Sequence, residues 1–158
     1  MSTSKNIALT SSDGQKVCLD DKSAERSNLL KGLIQDYTED TDIPMPDIRG
    51  DVLKRVVEYL VHYKEAAPRE IPKPLPSANL LDVTDEWDVS FINGVDLDTT
   101  FDIINAANYM DIKPLLDLSC AKIASLMKGK TAEEIRTMFN IECDLTEEEL
   151  KEYEEYQI

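Results

Sequence analysis

The feature that most constrains the fold of this 158-residue chain is a change in hydrophobic periodicity. Residues 6–19 alternate apolar and polar positions on both sides of Asp13-Gly14. A period of two that runs into and out of such a turn predicts a β-hairpin. From Ser27 onward the apolar residues recur at the three- and four-residue spacing of helices. The sequence therefore predicts the α+β class, with a small sheet first and helices after it.

Caps and apolar stripes place the helices along the chain. The predicted helices begin after Ser27, cover residues 51–65, contain the pair Trp87 and Phe91, and begin after caps at Asp98, Asp111, Thr131 and Thr146. Thr131 and Thr146 each start a capping box, in which a Glu three residues later accepts a hydrogen bond from the backbone N–H of the threonine. The helix after Asp111 ends at Gly129. Two short helices therefore close the chain.

Prolines interrupt the regular structure in two places. Pro44 and Pro46 lack the N–H group that a strand donates, so any strand here pairs along one edge only. Four of the seven prolines then fall within the segment 66–80. Such density excludes a helix or a central strand, and it predicts a linker on the surface.

The charge of the chain limits the partners that it can attract. Its 17 lysines and arginines stand against 32 aspartates and glutamates, a formal net charge of −15. A surface this anionic repels phosphate backbones and anionic lipids, so we expect no direct nucleic-acid binding and no membrane binding. No apolar run approaches the roughly 20 residues of a membrane-spanning helix, and residues 1–6 lack the core of an export signal. We expect the protein in the cytoplasm and the nucleus.

The cysteines and the histidine form no metal-binding pattern. Cys18, Cys120 and Cys143 lie far apart without a C-x-x-C pair, and His62 is the only histidine. We therefore expect no metal site and no cofactor. Cys120 lies in an apolar helical stripe, which predicts a buried and unreactive thiol.

Motifs of catalysis are also absent from the sequence. It contains no nucleophile elbow, phosphate-binding loop or metalloprotease motif. Adjacent acids such as Asp20-Asp21 are expected by composition alone in so acidic a chain. We expect no catalytic residue, and a protein that is not an enzyme.

Apolar residues on the helix after Asp111 are not confined to one face. One row repeats every three or four residues and consists of Ile112, Leu116, Cys120, Ile123 and Met127. Leu115 and Leu118 lie partly round the helix from this row. Either one face packs inward and the other binds a partner, or the helix is buried on both sides. The pattern alone leaves both interpretations open.

Three segments of the sequence resemble a known family. They are Leu-Thr-Ser-Ser-Asp-Gly from Leu9, Ala-Ala-Asn-Tyr-Met-Asp-Ile-Lys-Pro-Leu-Leu-Asp-Leu from Ala106, and Met-Lys-Gly-Lys-Thr-Ala-Glu-Glu-Ile-Arg-Thr-Met-Phe-Asn-Ile from Met127. Together they resemble the S-phase kinase-associated adaptor family of SCF ubiquitin ligases. Matching stretches run in order from about residue 5 to residue 150, so the resemblance covers nearly the whole chain.

This resemblance implies both a fold and a function. It implies a BTB/POZ fold, a small three-stranded sheet surrounded by helices, with two additional C-terminal helices. The BTB/POZ-like domain is expected at residues 1–128, and the C-terminal extension, which binds F-boxes, at residues 129–158. The implied function is that of a non-catalytic adaptor, which links the N-terminal region of a cullin to F-box proteins for ubiquitin-dependent degradation.

The resemblance also divides the candidate site residues between two faces. Asn108 and Tyr109 are assigned to the cullin face. The F-box face is assigned Phe101, Ile104, Leu116, Cys120, Ile123, Met127, Ile135, Phe139, Leu150 and Tyr153. An F-box is a short apolar helical motif, so its partner must supply a groove lined at helical spacing.

Three other interpretations compete with this one. A transcription-type BTB homodimer and an Elongin C-like adaptor are disfavoured by the helical extension at residues 131–156. An acidic chaperone of basic proteins would act through charge, and residues 142–158 carry eight carboxylates against Lys151. Such a chaperone would keep its binding after residues 101–141 were shuffled, whereas an adaptor with a shaped groove would not.

Overall fold

A three-stranded sheet opens the fold. The computed structural model describes residues 5–36 and 42–155, except the side chains of residues 153 and 154. Strand β1 is Asn6–Thr10, and strand β2 is Lys16–Asp20. They pair antiparallel, and Gly14 turns between them with a φ of 79° that glycine adopts without strain. Strand β3, Asp42–Pro44, pairs parallel with the other edge of β1. The α+β class and the three-stranded sheet are confirmed.

Helices account for most of the described chain. They are α1 Asp21–Ala24, α2 Asn28–Leu33, α3 Gly50–His62, α4 Glu86–Asn93, α5 Leu97–Tyr109, α6 Lys113–Met127, α7 Ala132–Met138 and α8 Glu147–Glu155. A single 3-10 turn covers Leu80–Asp82. The single turn of α1 and the 3-10 turn were not expected, because one turn is too short to show a helical period.

Two of the predicted caps need correction. The carboxylate of Asp96, not Asp98, caps α5, since it accepts a backbone N–H at 2.7 Å. Asp98 lies in the first turn, where its negative charge interacts favourably with the positive end of the helix dipole. Asp111 lies between α5 and α6 with a φ of 52°, and its carboxylate accepts the side-chain amide of Asn28 at 3.2 Å. This acid therefore joins the α5–α6 turn to the start of α2.

The central helix of the core is α3. Its side chains Val52, Leu53, Val56 and Leu60 are at most 1% exposed. They form an apolar stripe at helical spacing, and α3 packs against β2 and α5. Each such side chain contributes about 1.5–3 kcal/mol by leaving water, so this stripe sets where the other helices lie.

An aromatic cluster joins α3 to α4. The rings of Trp87 and Phe91, which were predicted to share a helix, lie 5.2 Å apart between centroids. The ring of Tyr59 packs 5.7 Å from that of Phe91. The imidazole of His62 stacks on Trp87 with centroids 3.5 Å apart. This cluster holds α4 against the end of α3.

The predicted linker is irregular but attached to the domain. Residues 64–79 contain no helix or strand. Ile71 is 6% exposed, so its side chain anchors the segment in the core. The ammonium of Lys73 lies 2.6 Å from the Asp117 carboxylate and ties the linker to α6.

Two compact units make up the chain, Met1–Leu126 and Met127–Ile158. Within the second unit the carboxylate of Glu134 accepts the N–H of Thr131 at 3.1 Å, and that of Glu149 accepts the N–H of Thr146 at 2.8 Å. Both predicted capping boxes are therefore present. No helix in the described ranges is long and apolar enough to span a bilayer.

Candidate functional site: the outward faces of the C-terminal helices

The turn between α5 and α6 is held by the start of α2. The hydroxyl of Ser27 donates to the carbonyl oxygen of Met110 at 2.5 Å, and the N–H of Leu29 donates to the same oxygen at 3.2 Å. The N–H of Asn28 donates to the carbonyl oxygen of Asp111 at 3.2 Å. Met110 is 0% exposed, so these bonds lie against the core. They fix the directions in which both helices leave the turn.

Helix α5 buries one side and exposes the other. Its buried residues are Thr100, Ile103, Ala106 and Ala107. On the opposite side Phe101 is 39% and Tyr109 is 46% exposed, and Asn108 is exposed as well. Residues seven positions apart share a helix face, so Phe101 lies on the same face as Asn108 of the predicted cullin pair. Ile104 is half-buried beside this stripe.

The structure decides between the two interpretations of α6. The buried residues of α6 are Leu115, Leu118, Ser119 and Ala121, and Ile112, directly before the helix, is buried as well. The residues of the predicted row from Leu116 onward lie on the outside, where Leu116 and Ile123 are half-buried and Cys120 and Met127 are exposed. Ile112, which the pattern placed in the same row, belongs to the core instead. Helix α6 therefore packs with one face and leaves an apolar row, Leu116, Cys120, Ile123 and Met127, open.

The predicted burial of Cys120 is wrong. Its side chain is exposed, because it projects from the open row of α6. The helix surface around the thiol nevertheless excludes enough water to raise its pKa, and the nearby Asp117 carboxylate raises it further. A raised pKa keeps the thiol protonated, so Cys120 adds apolar surface to the row rather than a nucleophile.

The second unit carries the remaining residues predicted for the F-box. Ile135 and Phe139 of α7 and Leu150 of α8 are half-buried. The backbone of Tyr153 belongs to α8, and its side chain lies outside the described part of the chain. These positions keep apolar atoms at the surface of the unit and remain predicted contacts.

Ile141 is an exposed apolar residue that the sequence prediction missed. It is 56% exposed and lies just beyond α7. Asn140 has a φ of 52°, and the N–H of Ile141 donates to the carbonyl oxygen of Arg136 at 2.8 Å, which is the Schellman motif. An apolar residue directly after an Asn at a helix end is the signal that could have identified it.

Titratable side chains do not converge into a metal site in the part of the chain that the structure describes. There, no three His, Cys, Asp or Glu residues lie close enough together to hold a metal ion. The candidate surfaces of α5 and α6 are instead formed by apolar, aromatic and amide side chains. Such surfaces bind other proteins.

Comparison with known proteins identifies similar chains over nearly the whole length. A profile described as the Skp1 family tetramerisation domain matches residues 5–65, and one described as the Skp1 family dimerisation domain matches residues 113–157. The chain is 43% identical to the S-phase kinase-associated protein 1 homolog of Tetrahymena thermophila, over 92% of this chain and 88% of that protein. It is 44% identical to the E3 ubiquitin ligase complex SCF subunit sconC of Aspergillus terreus, over 94% of this chain and 92% of that protein. It is 45% identical to sconC of Arthroderma otae, over 93% of this chain and 88% of that protein.

Proposed function

Because this chain belongs to the Skp1 family, we propose that it is the adaptor subunit of an SCF E3 ubiquitin ligase. In that role it links a cullin scaffold to F-box receptors, which bring substrates to be ubiquitinated. The subunit holds its partners and makes or breaks no covalent bond itself. The relative named as an SCF subunit in Aspergillus terreus aligns with 94% of this chain, which supports a role for both units.

The observation that carries the proposal is a pair of exposed faces on neighbouring helices. Helix α5 exposes Asn108 and Tyr109, and the outward row of α6 combines the exposed Cys120 and Met127 with the half-buried Leu116 and Ile123. The turn between the helices is bonded to α2, so the two faces keep a constant angle to each other. An adaptor needs this arrangement, because it must hold two proteins at once without either one displacing the other.

The chemistry of the two faces differs, and this supports one partner for each. An F-box needs apolar surface from its partner, and the α6 row supplies it with side chains spaced three or four residues apart. We assign Ile135, Phe139 and Leu150 of the second unit to the same partner. The α5 face combines the ring and hydroxyl of Tyr109 with the Asn108 amide, a mixture typical of interface anchors. We assign this face to the cullin.

Reconstitution tests the proposal directly. The chain is mixed with the N-terminal region of a cullin, with an F-box protein, and with both, and the products are separated by size-exclusion chromatography with light scattering. We expect a complex of one copy of each protein, and a cullin Kd that changes less than twofold when the F-box protein is present. Competition between the two partners would contradict the assignment of separate faces. Binding of core histones but of neither partner would instead support the acidic chaperone.

A further inference from the structure

The linker and the first turn of α6 enclose a cleft of about 560 Å³ within the unit Met1–Leu126. Proline rings and cationic side chains line it, among them Pro72, Pro114, Arg69 and Lys113. We propose that this cleft binds an acidic segment with one apolar side chain, located next to the F-box in a receptor. The inference rests on the proposed function and extends it beyond the F-box itself.

The charge of the cleft favours an acidic occupant. Lys73 and Asp117 neutralise each other across 2.6 Å. Of the other charged residues that line the cleft, Arg69 and Lys113 are positive and Glu70 is negative, and none of these three forms an ion pair with a described residue. The cleft is therefore locally positive on a chain whose formal net charge is −15. A carboxylate that approaches the cleft is attracted by this positive lining.

The walls of the cleft favour contact with a side chain. Pro72 and Pro114 have no N–H group, so neither can donate a backbone hydrogen bond to an incoming strand. Their rings offer flat apolar surface against which an aromatic or aliphatic side chain can pack. Ile71, which also lines the cleft and is 6% exposed, anchors the linker, so the cleft exists before a ligand arrives. A preformed site avoids the entropic cost of ordering a loop on binding.

The position of the cleft points to the receptor as the source of the segment. Lys113, Pro114 and Asp117 belong to the first turns of α6, and the open row begins beside them at Leu116. The rise from Lys113 to Cys120 is roughly 10 Å at about 1.5 Å per helical residue. An extended chain crosses that distance in roughly three residues. A receptor that docks on the row therefore brings the residues that flank its F-box within reach of the cleft.

Binding of extended F-box fragments tests this inference. A recombinant F-box fragment is prepared in three forms. The bare form has no extension, and the acidic form carries Asp-Glu-Phe-Asp-Glu at one end or the other, joined through three Gly or Ser residues. The basic form carries the same extension with Lys in place of each acid. The Kd of each fragment for the full chain is measured by calorimetry at low salt. We expect the acidic extension at one end to tighten binding at least fivefold, and the basic extension at that end to give no gain. In Arg69→Glu/Lys113→Glu the gain disappears while the bare fragment binds as before.

A matched variant separates the cleft from the overall charge. Lys31→Glu/Lys54→Glu changes the net charge by the same amount at two exposed lysines outside the cleft, and it should keep the fivefold gain. The inference would be overturned if Lys31→Glu/Lys54→Glu also lost the fivefold gain in affinity, or if the acidic extension gave no gain at either end of the fragment. Both results leave binding of the bare F-box fragment, and so the proposed function, intact. An equal loss of bare and extended binding in Arg69→Glu/Lys113→Glu would overturn the inference too. If the bare fragment does not bind the unmodified chain, the proposed function itself fails, and this inference fails with it.

Discussion

The hydroxyl of Tyr63, directly after α3, donates a hydrogen bond to the Asp88 carboxylate of α4 at 2.5 Å. Asp88 is 2% and Tyr63 is 6% exposed. The hydroxyl of Thr84 donates to the other carboxylate oxygen at 2.6 Å. A buried carboxylate is costly unless donors replace water, so these two hydroxyls are what allow Asp88 to lie inside the α3–α4 junction.

Removing the Tyr63 hydroxyl should destabilise the fold. In Tyr63→Phe the ring stays in the aromatic cluster, but Asp88 loses one of its two hydroxyl donors. We expect the free energy of unfolding to fall by about 1–3 kcal/mol, as measured by urea denaturation followed by circular dichroism. Tyr109→Phe is the control, because an exposed tyrosine should change stability by less than about 0.5 kcal/mol. Equal small effects of both substitutions would show that the Tyr63–Asp88 bond contributes little.

Stability should also fall at high pH through the same tyrosine. Burial raises the pKa of Tyr63, and the hydrogen bond to Asp88 raises it further. The folded state therefore keeps the phenol proton at a pH where the unfolded chain releases it, near pH 10. The stabilisation is present below about pH 10 and is lost as the pH rises through the higher folded pKa. Urea midpoints from pH 8 to 11 should decline less steeply in Tyr63→Phe than in the unmodified protein, and identical slopes would refute this.

The Asp13 carboxylate should make the fold sensitive to acid. The Ser11 hydroxyl, the Gly50 N–H and the Gln15 amide donate to it, with Ser11 contributing most, and its pKa falls to about 2. Since the ordinary pKa of the group is 3.8, the contribution is present above that value and is lost as the pH falls towards about 2. Asp13→Asn should lower the urea midpoint at pH 7, and the difference from the unmodified protein should shrink by pH 2. An unchanged urea midpoint at pH 7 in Asp13→Asn would contradict this prediction.

Substitution in the α6 row should weaken receptor binding. Ile123 is half-buried, and Ile123→Asp would place an unpaired charge in a contact that loses its water on association. We expect F-box affinity to fall at least about 100-fold, equivalent to about 2.8 kcal/mol, while cullin affinity is retained. Lys54→Asp on the exposed side of α3 serves as the control. Unchanged F-box affinity in an Ile123→Asp protein that is folded by circular dichroism would remove Ile123 from the interface.

Truncation of the α5 face should weaken cullin binding and leave F-box binding intact. Asn108→Ala with Tyr109→Ala removes an amide and a 46% exposed ring, so the fold should lose little stability. We expect cullin affinity to fall roughly 10- to 100-fold, because anchors of this kind carry much of the binding energy of an interface. Affinity for the F-box protein should stay within twofold. A loss that is equal for both partners would indicate misfolding and would contradict the two-face assignment.

Most of the elements could be predicted from the sequence because the interactions that define them are local. The hairpin follows from alternation around Asp13-Gly14, and α7 and α8 follow from capping boxes that close over three residues. Pro44 and Pro46 predict that the segment at residue 43 is extended and pairs along one edge only. The pattern did not predict that Asp96 rather than Asp98 caps α5, because two acids two residues apart both fit a helix start.

Only the tertiary structure decided which surfaces are buried and which stay open. The α6 pattern permits burial on one side or on both, and it is the packing of Leu115 and Leu118 against the core that leaves Cys120 outside. Likewise, Pro72 and Pro114 are 42 positions apart in the sequence but line one cleft, because Ile71 and Lys73 hold the linker against the domain. Both outcomes depend on contacts between residues distant along the chain, and periodicity carries no information about such contacts.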